Sequence, residues 1–332
     1  MRAMVLHVPC PADSRPLTLE ERPVPPLPAG CALIKVLRCG VCHTDLHIVE
    51  GDLAPQGLPR IPGHQVVGIV EAVADDVSTL ERGARVGVAW LFAACGRCAF
   101  CQRGEENLCL QAQFTGYHVD GGYAEYMVAR ADYVFPLPPQ FADTAAAPLL
   151  CAGIIGYRAL HLAGVRPQSR VGLYGFGASA HLAIQVARFW DCAVSVVTRQ
   201  PAHQRLAASL GAAWVGGPAD QPPQELDSAI VFAPSGAVVI QALQAVRRGG
   251  TVAINAIHLG QIPAFDYAWL YWERTLRSVS NCTRQDAREF LDLAARIPVR
   301  VETSVFPLEE ANQALLALRR GEITGAAVLT VA

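Results

Sequence analysis

The stretch Val171-Gly172-Leu173-Tyr174-Gly175-Phe176-Gly177-Ala178-Ser179-Ala180 changes periodicity at its middle. Its first four residues form an apolar run short enough for one buried strand, whereas 178–190 carries apolar residues at helical spacing. The turn between them, Gly175-Phe176-Gly177-Ala178-Ser179-Ala180, fits G-x-G-x-x-A, in which glycines let the backbone approach a pyrophosphate at the positive end of a helix. A glycine pattern alone is a weak signal; the surroundings strengthen this one. Ala193-Val194-Ser195-Val196-Val197, Ala229-Ile230-Val231-Phe232 and Thr251-Val252-Ala253-Ile254 repeat the buried-strand pattern, and a helix at 202–210, stopped by Gly211, follows the first of them. Strand–helix alternation from 153 to 297 predicts an α/β fold with a doubly wound parallel sheet that binds a dinucleotide.

The end of the second strand bears on which dinucleotide. An acid there would bind the adenosine ribose 2′-hydroxyl, but the chain reads Val197-Thr198-Arg199. With no carboxylate to repel it and Arg199 at hand, a 2′-phosphate is accommodated, so charge leans toward NADP(H) over NAD(H). Thr198 can still bond an unmodified ribose, and Arg199 can instead stack on adenine or face solvent.

Outward from this region the pattern changes. Residues 1 to about 150 contain short apolar runs such as Ala32-Leu33-Ile34-Lys35-Val36 and Val66-Val67-Gly68-Ile69-Val70, set between turns, and predict a mainly β half. Near the other end 307–320 predicts a helix, with Glu309 and Glu310 in its first turn and Arg319 and Arg320 in its last. A chain of 332 residues, 52% hydrophobic and 17% charged, has the material for two domains. Its net charge of −2 excludes the basic footprint of a nucleic-acid binder. The longest uncharged run, 228–246, contains Pro234, Ser235 and Gly236 and reads as strand, turn and helix rather than as a membrane span. Met1-Arg2-Ala3-Met4-Val5-Leu6-His7 is too short an apolar stretch for a signal peptide, so a cytoplasmic protein is expected. Eleven cysteines in that setting point to metal ligands or core thiols rather than disulfides.

Four of these, Cys95, Cys98, Cys101 and Cys109, are separated by gaps of two, two and seven residues. One loop can fold four such thiolates around a tetrahedral Zn²⁺. Iron–sulfur runs also open with C-x₂-C-x₂-C, but the bacterial motif continues with three residues and Cys-Pro, which this chain lacks. A closed four-sulfur site offers no position to a substrate, so this zinc would be structural.

Cys39-Gly40-Val41-Cys42-His43-Thr44-Asp45-Leu46-His47, Pro62-Gly63-His64, Asp120-Gly121-Gly122-Tyr123-Ala124-Glu125-Tyr126 and Leu150-Cys151-Ala152-Gly153 together resemble the zinc-dependent alcohol dehydrogenases of the medium-chain dehydrogenase/reductase superfamily, particularly the microbial branch. The resemblance spans essentially the whole chain. It implies a GroES-like β-rich catalytic domain at 1–152, completed by 298–332, and a Rossmann nucleotide-binding domain at 153–297, with the active site in the cleft between them. It also implies a second, catalytic zinc held by Cys42, His64 and Cys151, whose open position polarises an alcohol or carbonyl oxygen. The family pattern selects Cys42 over its neighbour Cys39. On the same resemblance Thr44 bonds the alcohol, His47 ends a proton relay to solvent, Asp45 orients His64, His43 contacts the pyrophosphate and Trp90 lines the substrate pocket. Read without it, Cys151 is a core thiol, His47 a surface histidine and Trp90 a core aromatic. Microbial relatives suggest a homotetramer.

Two positions depart from the family pattern. Gly63-His64-Gln65 stands where most of the family reads Gly-His-Glu, and Gly325-Ala326-Ala327 stands where many relatives carry an Arg thought to contact the cofactor. The expected activity is reversible hydride transfer between a small alcohol and NAD(P)⁺, giving an aldehyde or ketone, with two zinc ions per chain. Zinc-independent quinone or enone reductases of the superfamily usually lack both cysteine sets. A zinc-stabilised NADPH-binding reductase or regulatory protein of this fold would bind cofactor without oxidising alcohol.

Overall fold

The computed structural model describes every residue except Pro55, and the chain divides into two compact units. One comprises Met1–Cys151, Asn281–Ala295 and Val301–Ala332; the other comprises Ala152–Ser280 and Arg296–Arg300. Asn281–Ala295 therefore falls in the first unit, whereas the sequence pattern runs the nucleotide-binding half on to 297. Side chains far away in sequence account for this. Arg284 donates its backbone N–H and its Nε–H to Glu106 Oε1 at 3.0 and 3.1 Å, and Trp90 Nε1–H donates to Asn281 Oδ1 at 2.9 Å.

The second unit is built on a six-stranded, wholly parallel sheet in the spatial order Trp214–Gly216, Ala193–Val197, Arg170–Tyr174, Leu226–Val231, Val246–Ile254, Thr275–Ser278. Its inner strands are apolar runs because both faces are covered: Val171, Leu173, Val194, Val196, Ile230, Val252 and Ala253 are all buried. Chain order along the sheet reverses between Arg170–Tyr174 and Leu226–Val231. That reversal opens the crevice in which doubly wound sheets hold ligands, and the glycine turn leaves the first of these two strands there. The helix after it is Ala178–Phe189, and the next is Pro201–Ser209. Sequence pattern does not mark the two edge strands, since Trp214–Gly216 is very short and Thr275–Ser278 is largely exposed.

The first unit carries a seven-stranded sheet in the order Thr303–Pro307, Ala326–Thr330, Cys31–Val41, Gln65–Val73, Arg85–Val88, Val134–Pro136, with Tyr126–Arg130 also paired to Cys31–Val41. The final strand lies antiparallel to Cys31–Val41, with Ala327 opposite Val41, so the end of the chain completes the N-terminal sheet. Ala326 and Ala327 are buried inside it. The helix expected at 307–320 is a 3₁₀ turn, Leu308–Glu310, followed by Ala311–Arg319. A helical run at Asp143–Leu162 is long and apolar enough to cross a membrane, but 67% of its most apolar stretch is buried inside the protein, as in a core helix.

Candidate active site and metal centres

The antiparallel register that pairs Gly40 with Gln65 sets Cys42 and His64 just beyond the same end of two neighbouring strands. Cys42 then caps the helix His43–Glu50, and Asp45, in its first turn, accepts the Cys42 N–H at 3.0 Å. The loop carrying His64 is pressed into place from below. Gly63 has φ +98°, and a Cβ on it would come within 2.4 Å of the Tyr123 ring, while one on Gly121 would come within 2.0 Å of the Gly63 carbonyl oxygen. Cys151 arrives from elsewhere. Pro148 interrupts the helix Asp143–Pro148, and the chain widens into a π-helical turn, Leu149–Gly153. Leu150 seats this turn on Gly87, where any Cβ would meet its methyl groups at 2.5 Å.

The result is a cluster of three: one ligand atom each from Cys42, His64 and Cys151, all within 4.8 Å of one another. Cys42 Sγ lies 3.4 Å from His64 Nε2. The opposite ring nitrogen, Nδ1, lies 3.2 Å from Asp45 Oδ1, so the carboxylate holds the imidazole with Nε2 toward the sulfurs. Both His64 and Asp45 are fully buried. Asp45 also accepts the Gly63 N–H at 3.2 Å.

Protons mark where positive charge belongs in this pocket. The Cys42 thiol is held well below its usual range by its hydrogen bond with Cys151 and, against the effect of burial, by His64 and Thr44. Cys151 is pushed well up by the same bond and by burial. Burial disfavours a charged His64, yet the Asp45 and Cys42 charges outweigh it and raise the ring to about 10. A cation replacing these protons meets two sulfurs, one ring nitrogen and a supporting carboxylate, a donor set that fits zinc. Cys39 stands apart: it is fully buried, its Sγ faces the Gly40 carbonyl at 3.6 Å, and burial raises its thiol well above the usual range. It remains a neutral core thiol.

Around the cluster, Thr44 is buried with its hydroxyl toward the Cys42 sulfur. His47 is half-buried on the same helix, its Nδ1 2.8 Å from Asp52 Oδ2. His43 is exposed in the first turn. Trp90 sits edge-on to the His64 ring, with centroids 4.8 Å apart, and is stacked against Phe114 at 4.9 Å. Gln65 is buried against Gly40, and its Nε2 finds no acceptor among the described residues. Phe114 and Asn281, which hold Trp90, belong to no motif and give no signal in the sequence. Asp45→Asn is expected to weaken zinc retention at this cluster by about 10- to 100-fold, measured by competition with a chromogenic chelator. Retention equal to the native chain's would remove Asp45 from the orienting role.

Cys95, Cys98, Cys101 and Cys109 form a second cluster with all four sulfurs within 4.8 Å of one another. Backbone N–H groups are aimed at the sulfurs: Cys98 N to Cys95 Sγ at 3.4 Å, Cys95 N to Cys109 Sγ at 3.5 Å and Gln111 N to Cys109 Sγ at 3.4 Å. The N–H groups of Arg97 and Cys98 bring Cys95 down to about 6, whereas burial and Cys98 push Cys101 up to about 12. A loop that spends backbone donors on sulfur is made for thiolates, and four of them fit a closed zinc site. None of the eleven cysteines is in a disulfide.

In the second unit, Gly175 has φ +89°, and a Cβ there would come within 2.8 Å of the Ala233 nitrogen. Gly177 precedes the helix and is open, with nothing within 4 Å of where its Cβ would stand, and Ala180 is fully buried. The shape fits a pyrophosphate at the helix N-terminus. Thr198 is buried, its carbonyl accepting from Gln204 at 2.9 Å, while Arg199 is exposed.

Comparison with known proteins agrees with this geometry. Residues 28–139 match the alcohol dehydrogenase GroES-like domain family, and residues 180–296 match the zinc-binding dehydrogenase family. The chain is 47% identical over 337 residues to a protein of Mycobacterium tuberculosis (strain CDC 1551 / Oshkosh) named probable alcohol dehydrogenase AdhA, spanning 100% of this chain and 97% of that one. It is 38% identical over 323 residues to an alcohol dehydrogenase of Geobacillus stearothermophilus, spanning 94% and 95%. It superposes on the alcohol dehydrogenase of the hyperthermophilic archaeon Aeropyrum pernix with a TM-score of 0.89 and 29% identity, over 99% of this chain and 100% of that one. The chain belongs to the zinc-binding alcohol dehydrogenase family of the medium-chain dehydrogenase/reductases, with a GroES-like domain and a Rossmann-type sheet.

Proposed function

We propose that this chain oxidises small alcohols to aldehydes or ketones with NAD(P)⁺, and reduces them in reverse, using a catalytic zinc at Cys42, His64 and Cys151 and a structural zinc at Cys95, Cys98, Cys101 and Cys109. The observation that carries the reading is the convergence of Cys42, His64 and Cys151 within 4.8 Å, with Asp45 behind the ring. Bound there, zinc would supply Lewis acidity toward an alcohol oxygen, and a dinucleotide held at the Gly175–Gly177–Ala180 turn would supply the hydride acceptor.

The chain's own groups do the rest. Thr44 is assigned to hydrogen-bond and orient the alcohol hydroxyl, and His47, its Nδ1 2.8 Å from Asp52 Oδ2, to hand the released proton to solvent. Trp90, edge-on to the His64 ring, is assigned to the wall of the substrate pocket. His43, exposed at the start of its helix, is assigned to the pyrophosphate. The exposed Arg199 and the absence of an acid beside Thr198 support a lean toward NADP(H). Gln65 keeps a neutral amide where a carboxylate would add charge to the metal pocket.

A homo-oligomer is supported by Thr275–Ser278, an edge strand paired on one side only, and by exposed Tyr267, Tyr271 and Trp272 just before it; family likeness makes a tetramer the preferred state. Cysteines without disulfides suit a reducing cytoplasm.

The test is formation of reduced nicotinamide, followed by absorbance, with ethanol, a longer primary alcohol and a secondary alcohol against both cofactors. Alcohol-dependent reduction that stops on metal removal is expected. Tight cofactor binding with no reduction by any alcohol would overturn the reading in favour of a binding or regulatory protein.

A further inference from the structure

Trp90 is held by three aromatic contacts and one polar one. The rings of His64, Phe114 and Tyr117 lie 4.8, 4.9 and 6.1 Å from its own, two of them stacked. Such contacts fix the plane of the indole, but a half-turn about χ2 would keep that plane and carry Nε1 to its opposite side. Direction comes from the hydrogen bond: Nε1–H donates to Asn281 Oδ1 at 2.9 Å.

The backbone at Asn281 is unusual. Its φ is +54°, in the left-handed region that glycine occupies without strain and that asparagine and aspartate tolerate best among the other residues. Glycine would satisfy the backbone, but asparagine also brings an acceptor, and that acceptor is spent on a side chain 191 positions away.

The segment is fixed just beyond. Thr283 caps the helix Arg284–Ala294 and exchanges hydrogen bonds with Asp286. Arg284 donates twice to Glu106, a buried carboxylate in the loop between Cys101 and Cys109, and its guanidinium lies 4.8 Å over the Tyr133 ring. Asn281 is thus presented to Trp90 from a firm base that includes the four-cysteine loop.

We infer that Asn281 is a positioning residue that locks the Trp90 indole over His64 and thereby sets the size of alcohol admitted. The inference rests on the proposed function for its substrate and on the hydrogen bond for its mechanism. A ring released at Nε1 is free to turn about χ2 beside His64, so small alcohols lose a fixed wall to pack against and bulky ones gain room.

The test uses the zinc-loaded chain with ¹⁵N-labelled tryptophan and follows the five indole N–H signals, that of Trp90 being the one missing from Trp90→Phe. In Asn281→Gly, which keeps the backbone conformation and removes the acceptor, the Trp90 proton should move upfield and exchange faster with solvent. The ratio of kcat/KM for benzyl alcohol over ethanol should rise about five- to tenfold, chiefly through a higher KM for ethanol. Asn281→Asp, which retains an acceptor and tolerates the same φ, should preserve slow exchange and most of the native ratio.

An unchanged Trp90 signal in the glycine variant overturns the inference, as does an altered signal with an unchanged alcohol ratio. If the glycine variant fails to fold, the aspartate variant decides, since fast indole exchange there would contradict the role assigned to the acceptor. If the native chain oxidises no alcohol, the proposed function falls, and the indole signal still decides whether Asn281 holds Trp90.

Discussion

Cys42→Ser should lower alcohol-dependent turnover by about a thousandfold or more, since a lost Lewis acid removes several factors of ten from the rate. Serine supplies a hydroxyl that stays protonated at neutral pH, where the Cys42 thiol is already biased toward its anion by Cys151 and His64. The fold should survive, because Asp45 caps the helix through the Cys42 backbone N–H, which serine keeps. Metal analysis should find zinc falling from about two ions per chain to about one, in line with the two clusters. Native activity in this variant would refute the catalytic-zinc assignment, and a loss of activity with both ions retained would move the defect elsewhere.

Cys98→Ser should act on stability instead. The four-cysteine loop has little apolar core of its own, and the short helix within it, Ala99–Gln102, buries no residue. Its stability is therefore expected to draw on a bound ion, as in small zinc modules whose metal binding is their folding energy. A drop of about 10 °C in the thermal unfolding midpoint is expected, read by calorimetry alongside the loss of about one zinc per chain. An unchanged midpoint would show that the loop holds its shape without metal. The two substitutions should therefore separate, one stopping catalysis in a stable chain and the other weakening a chain whose catalytic cluster is intact.

Much of the architecture was open to reading because its signals are local. Buried parallel strands leave short apolar runs, and the helix expected at 178–190 is found at Ala178–Phe189. Four cysteines within one loop need only that loop to fold. The three-residue cluster is different. Nothing local joins positions 42, 64 and 151, and only likeness to a family nominated them together; the sheet register and a π-helical turn bring them within reach. The partners of Trp90 stayed hidden for the same reason, since a contact across 191 positions leaves no periodicity to detect. Asn281–Ala295 followed its long-range ties into the first unit, against the apparent end of the strand–helix pattern. Edge strands such as Thr275–Ser278, exposed and short, lack the apolar run by which their inner neighbours are recognised.

Asp45 grips the corner where strand becomes helix, the glycine-lined bend and the imidazole with a single carboxylate. Three walls of the pocket therefore share one anchor, and its loss would slacken them together.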